Sequence, residues 1–189
     1  MAVRLLGSCL LVLLISGGCR APRKEVWRPL DVILVTIDTL RPDRLGCYGH
    51  TGNLTPHLDG LAGKGILFDA AVAQAPSTTP SHASMFTGTY PTVHQVRNAG
   101  GFALDKSKLT IAEILREKGW QTAAFVGSAV LDRVYGLDQG FKVYDDRMSG
   151  STAGPADSEE PSRLAAKVVD RAIKWLQDQK GSKPLFLWV

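Results

Sequence analysis

Residues 31–37 read DVILVTI, a β-branched, apolar run bounded by polar residues. A strand apolar at successive positions has no polar face to give to water, so it is expected to be buried on both faces. Strands of that kind belong to parallel sheets covered by helices, which predicts an α/β fold with a mostly parallel central sheet flanked by helices. The rest of the chain keeps the matching alternation. In TPHLDGLAGKG (55–65) Thr55 stands at a cap position, Pro56 at the first helical position and Gly65 as a stop. ILFDAAVA (66–73) follows as a second strand candidate. In TIAEILREKG (110–119) Thr110 and Glu113 have capping-box spacing and Gly119 closes the helix, after which QTAAFV (121–126) reads as a further strand. The Ser-, Gly-, Pro- and acid-rich stretch 145–161 reads as an exposed loop. Ser162 then starts the longest predicted helix, with Leu164, Val168, Ala172, Trp175 and Leu176 at helical spacing as a core face and Gly181 as its end. The chain stops on PLFLWV (184–189), an apolar strand candidate with no flanking element after it. It is therefore expected to be the N-terminal part of a longer protein, with further site residues beyond Val189.

With 189 residues, 44% of them hydrophobic and 21% charged, the chain is long enough and apolar enough for one domain with a sizeable core. The net charge of +4 draws heavily on Arg4, Arg20, Arg23, Lys24 and Arg28, and no basic stripe interleaves with aromatics, so nucleic acid is not an expected partner. The N-terminus has export-signal architecture: Arg4, a short apolar run through Leu10 to Ile15, then Ser16, Gly17 and Gly18 before Cys19. SGGC looks like the bacterial lipobox, which makes Cys19 the expected lipidation site; a plain secretory signal cut nearby is the other reading. The expected organisation is a signal over 1–19, a charged, proline-punctuated tether over 20–30, and a domain from 31 to 189. That places the protein in the bacterial cell envelope, on the periplasmic or extracellular face, joined to the membrane through a lipid anchor. Cys9 leaves with the signal and Cys47 has no evident partner, so no disulfide framework is expected.

Two stretches carry candidate chemistry. Asp38 stands where the first strand ends, the place where ligands bind in open α/β sheets. Its carboxylate either ligates a hard or borderline cation or serves as a turn former or helix cap. The second stretch is STTPSHASMFTG (77–88), in which Pro80 suits the first turn of a helix and puts Thr78 and Thr79 at or just before its N-terminus. Unpaired N–H groups and the helix dipole favour an anion there, with His82 and Ser84 close enough to contribute donors; the alternative is that Thr79 or Ser81 merely caps the helix.

Taken together and in order, DVILVTIDTLRPDRLGCYGH, TPHLDGLAGKGILFDAAVAQAPSTTPSHASMFTGTYPTVHQV, KLTIAEILREKGWQTAAFV, GLDQGFKVYDD and PLFLWV resemble the N-terminal part of the sulfatase family within the alkaline phosphatase superfamily. The resemblance implies an alkaline-phosphatase-like three-layer sandwich. It also implies a catalytic role for Thr78, which occupies the position of the cysteine that sulfatases convert to formylglycine, and for His82, which replaces the arginine of that motif. Threonine cannot become formylglycine, but the superfamily also employs unmodified Ser or Thr as nucleophile. Asp38 and Thr78 are the implied metal ligands in this stretch, and His94 of YPTVHQV matches a family histidine expected to touch substrate or to hold a turn. Where the family commonly has a second aspartate this chain has Thr39, and Gly127, Ser128, Ala129 and Val130 replace a Gly-Lys-Trp-His stretch. The implied cofactor is a divalent cation, Ca or Mg by oxygen donors, or Zn or Mn with histidines. The implied activity is an exported, metal-dependent hydrolase of sulfate esters with a threonine nucleophile and a small-molecule or glycan ester as substrate. Phosphodiester or phosphonate hydrolysis, or phosphoethanolamine-type transfer, stands as the alternative.

Overall fold

The computed structural model describes residues 29–148 and 163–189. The signal, Cys19, most of the tether and Ser162 lie outside the described residues. Four strands form one parallel sheet: β1 (Val32–Leu34), β2 (Gln121–Phe125), β3 (Val143–Asp145) and β4 (Leu185–Trp188), in the order β1-β4-β2-β3. The last strand in the chain thus lies between the first two, with Leu34 opposite Trp188 and Ala124 opposite Trp188 on its other side.

Alternation along these strands builds two helical layers. Phe186 and Trp188 of β4 and Ala124 of β2 face a core with Ala83 and Phe86 of α2 (Thr78–Thr87), Ala112 of α4 (Ile111–Glu117) and Phe141. Between those helices lie the short α3 (Pro91–His94) and, earlier in the chain, α1 (Pro56–Ala62). Leu187, Ala123 and Phe125 point the opposite way, onto Val168 and Ala172 of α5 (Ala165–Asp178), with Trp175 and Leu176 packed beside them. The apolar stripe is therefore core from Val168 to Leu176, as its spacing predicts, whereas Leu164 is the N-cap of α5 and is 69% exposed. Trp188 and Phe186 are almost fully buried, and Trp188 meets Phe86 edge-on with ring centres 4.7 Å apart. Among the described residues no helix is long and apolar enough to cross a membrane.

Several elements form as their local signals dictate. Thr110 accepts the Glu113 N–H and Glu113 Oε2 accepts the Thr110 N–H, a complete capping box, and Gly119 follows in the left-handed conformation at φ 89°. α1 ends at Gly63 rather than Gly65, and α5 ends at Asp178, before Gly181.

Three expectations are corrected. β1 is not buried on both faces: Ile33 is 55% exposed, and among the described residues β1 stands at the edge of the sheet. Residues 66–73 form no strand, since none of the four strands pairs with them; Ile66 and Val72 are exposed, and the Phe68 carbonyl accepts instead from the Tyr48 hydroxyl. Asp145 and Asp146, expected at the start of an exposed loop, are buried. Asp145 accepts hydrogen bonds from Arg147, Arg163 and Arg171, and Asp146 from Arg133. Residues 149–162 of that loop lie outside the described residues.

Candidate active site

Beyond β1 the chain stays registered with β4, the Thr36 N–H donating to the Val189 carbonyl at 2.8 Å, and then turns away at Asp38. Thr39 adopts φ 56°, a left-handed conformation uncommon for threonine, and its N–H donates to Asp38 Oδ1 at 3.1 Å. This turn holds the Asp38 carboxylate at the carboxyl end of the sheet.

The second wall is the start of α2. Ser77 is the N-cap, in extended conformation and with no side-chain capping bond, and Thr78, Thr79 and Pro80 are the first helical residues. Pro80 has no N–H to leave unpaired in the first turn. Thr79 does not cap the helix: its hydroxyl is buried and donates to the Val130 carbonyl at 2.8 Å, pinning α2 to the segment after β2. Thr78 points the other way, its hydroxyl 3.2 Å from both Asp38 oxygens across a separation of 40 residues. A carboxylate beside a helix N-terminus is also favoured by the dipole. Asp38, Thr78, Thr36, Pro76, His82 and Met85 are among the residues lining a cavity of about 450 Å³.

His82 lies in this wall but is 5% exposed, and the structure gives its ring a different employment from that of an anion donor. Nδ1 lies 2.8 Å from the Thr78 carbonyl and Nε2 lies 3.2 Å from the Thr36 hydroxyl, so both nitrogens are engaged within the protein. Burial pushes its pKa below the usual imidazole value, against the Thr78 carbonyl and the Asp38 charge, which favour the proton. The neutral ring is the stable form at neutral pH.

His94 is 1% exposed and is not among the residues lining the cavity. Its Nδ1 accepts the Val96 N–H at 3.1 Å and its Nε2 lies 2.9 Å from Ser84 Oγ, so the ring is the turn-holding residue between α2 and the segment after α3. The same bond takes Ser84 out of the anion-binding group. Thr36 and Trp188 belong to the site although neither was a candidate: the Trp188 indole donates to Thr36 Oγ1 at 3.0 Å. A lone polar residue closing the apolar run of β1 was the only sequence trace of Thr36.

Three hard oxygens, two from Asp38 and one from Thr78, converge on one side of the cavity and suit a divalent cation of the Mg or Ca type. No group of three or more His, Cys, Asp or Glu residues that could hold a metal gathers among the described residues. Cys47 is a free, half-buried thiol away from this cavity.

Over 113 residues the chain is 36% identical to mouse steryl-sulfatase, covering 54% of this chain and 18% of that protein. Over 185 residues it is 28% identical to an N-acetylglucosamine-6-O-sulfatase of Bacteroides thetaiotaomicron, covering 92% of this chain and 32% of that one. In fold it superposes on the phosphonate monoester hydrolase of Agrobacterium radiobacter with a TM-score of 0.65 at 22% identity, covering 85% of this chain and 40% of the other. The chain thus spans between about a fifth and a third of the length of these curated relatives. Residues 31–189, the whole stretch from the first strand onward, match the sulfatase family model, and the chain belongs to the sulfatase family.

Proposed function

We propose that this chain carries the nucleophile half of an ester hydrolase that cleaves sulfate esters, with Thr78 as nucleophile and Asp38 as its partner. The observation that carries the reading is the Thr78–Asp38 contact, made at the carboxyl end of the sheet between residues with no reason in local sequence to meet. Asp38 accepts the hydroxyl hydrogen and so turns an oxygen lone pair of Thr78 into the cavity. The uncapped start of α2 presents its N–H groups to the charge that develops on the ester oxygens. Thr78 Oγ gives its proton to Asp38 and forms a bond to sulfur as the bond from sulfur to the alcohol oxygen breaks; the departing oxygen takes a proton from water and leaves as the alcohol, and a second water then releases sulfate and restores the Thr78 hydroxyl. Asp38 and Thr78 are the residues that would hold a divalent cation here, and such a cation supplies Lewis acidity when bound. Family membership supports the ester hydrolase, and the sugar sulfatase among the relatives supports a glycan ester. SGGC supports export and lipidation at Cys19.

Phosphodiester or phosphonate hydrolysis is the second reading. It is favoured by one observation, a threonine that cannot mature to formylglycine at the nucleophile position. Nitrophenyl sulfate, phosphate, phosphodiester and phosphonate esters, offered with added divalent metals to the full-length gene product and to Thr78→Ala, separate these readings. Turnover of the sulfate ester that Thr78→Ala abolishes supports the primary reading, and preference for a phosphorus ester selects the second. Activity undiminished in Thr78→Ala refutes both.

A further inference from the structure

We propose that His82 is a positioning residue: a neutral Nδ1–H imidazole at the centre of a one-way hydrogen-bond relay, Trp188 to Thr36 to His82 to the Thr78 carbonyl, that sets the distance between Asp38 and Thr78. The directions of the two end bonds follow from the groups themselves, and that of the middle bond from the ring being neutral. A backbone carbonyl only accepts, so the ring nitrogen 2.8 Å from the Thr78 oxygen must be Nδ1–H. An indole nitrogen only donates, so Thr36 Oγ1 accepts from Trp188 at 3.0 Å. The Thr36 hydroxyl hydrogen is then left for Nε2, which lies 3.2 Å away and carries the lone pair in this tautomer. Burial of the ring, 5% exposed and 5.2 Å from the centre of the Trp188 ring, removes water as a competing partner.

The relay ties together the elements that carry the reactive pair. Thr36 stands two residues before Asp38 on the segment leaving β1, Trp188 belongs to the central strand β4, and the accepting carbonyl belongs to Thr78 itself. Fixing Thr36 fixes the approach of Asp38, and fixing the Thr78 carbonyl fixes the residue whose hydroxyl Asp38 receives. His82 therefore acts through Thr78 and takes no direct part in the chemistry, and no charge enters the cavity from it. The catalytic consequence rests on Thr78 being the nucleophile; the relay itself does not.

The test uses the full-length gene product with ¹⁵N-labelled histidine, and the variants Thr36→Val, Thr36→Ser and His82→Asn. In the parent, NMR should show His82 with a hydrogen on Nδ1 and none on Nε2. Thr36→Val keeps the side-chain shape and removes the hydroxyl; it should shift the Nε2 resonance and the Thr78 methyl resonance, and Thr36→Ser should return both towards the parent. On the ester that is turned over, kcat should fall between about tenfold and a hundredfold in Thr36→Val and in His82→Asn, with KM unchanged and with most of the rate restored in Thr36→Ser. A hydrogen on Nε2, or a Thr78 methyl signal unmoved in Thr36→Val, overturns the relay. If Thr78→Ala stays active the nucleophile reading falls alone, and the two NMR readouts still decide the relay. A rate lost in Thr78→Ala and unchanged in Thr36→Val overturns the positioning role alone.

Discussion

Replacing Asp145 by Asn should destabilise the fold by about 3 kcal/mol at neutral pH, the low end of the range for removing one partner of a buried ion pair. The side chains of Asp145 and Arg163 are 6% and 2% exposed and meet at 3.1 Å. Arg171 and Arg147 also bond this carboxylate, but at 38% and 69% exposure they return to water when it is removed. Arg163 is the group left stranded. The Val126, Asp145 and Arg147 carbonyls still accept from it, which places the loss at the lower end of the range. Burial alone would push the Asp145 carboxyl up, but hydrogen bonds from Arg147, Arg171 and Arg163 outweigh it and hold the pKa well below the usual carboxylate range. A depressed acid contributes stability that is complete above its unfolded value, about 3.9, and that disappears as pH falls through the folded value. The difference between parent and Asp145→Asn should therefore be constant from pH 7 down to about pH 4 and shrink below it. Equilibrium urea unfolding of the full-length gene product at a series of pH values measures both quantities. A variant within about 0.5 kcal/mol of the parent at pH 7, the range of an ordinary surface change, refutes the claim that this network anchors α5 to the sheet.

Two further outcomes follow from local geometry. Gly140 has φ 89°, and a Cβ there would lie 2.2 Å from the Glu113 nitrogen and 2.4 Å from the Ala112 carbonyl carbon; both atoms are backbone, so Gly140→Ala should displace the start of α4 and destabilise by more than about 1 kcal/mol, read by urea unfolding and by faster exchange of the Glu113 amide. Burial first, and Lys108 second, hold the His94 ring below its usual pKa, so the unfolded chain binds a proton that the folded chain refuses; stability should be complete above about pH 6.5 and fall as pH drops below it, with a shallower slope in His94→Gln, and an equal slope would remove His94 as its source.

What the sequence revealed divides along a physical line. The capping box of α4, the left-handed glycines and the buried stripe of α5 are set by residues a few positions apart, so periodicity and capping chemistry expose them. Strand order is set by contacts between residues far apart in the chain, and no local pattern distinguishes an edge strand with a strongly apolar sequence from a central one. The place of β1 among the described strands and the unpaired state of 66–73 are not legible locally for that reason. For His94 family likeness left a substrate contact and a turn-holding role both open, and its two ring nitrogens bond Ser84 and Val96, partners that no local pattern announces. Arg163 was not noticed at all, since a charged residue beside a loop gives no sign that it will be buried on an aspartate.

Asp38 and Thr78 meet at the carboxyl end of the sheet, and the reason lies in the directionality of the fold. In a parallel sheet all strands end on the same side, and a helix that packs antiparallel to its strand begins there. The carboxyl end of β1 and the amino end of α2 therefore meet whatever the intervening residues do, and the 40-residue separation between the pair carries no penalty for precision. Precision has to come from what joins the two ends. Thr79 fixes α2 to Val130, and the Trp188–Thr36–His82 contacts fix it to β1 and β4, so the first turn of α2 is held from both sides of Thr78. Of the first-turn hydroxyls of α2, that of Thr78 is the one directed at the Asp38 carboxylate, so the carboxylate and the helix N-terminus meet at this residue.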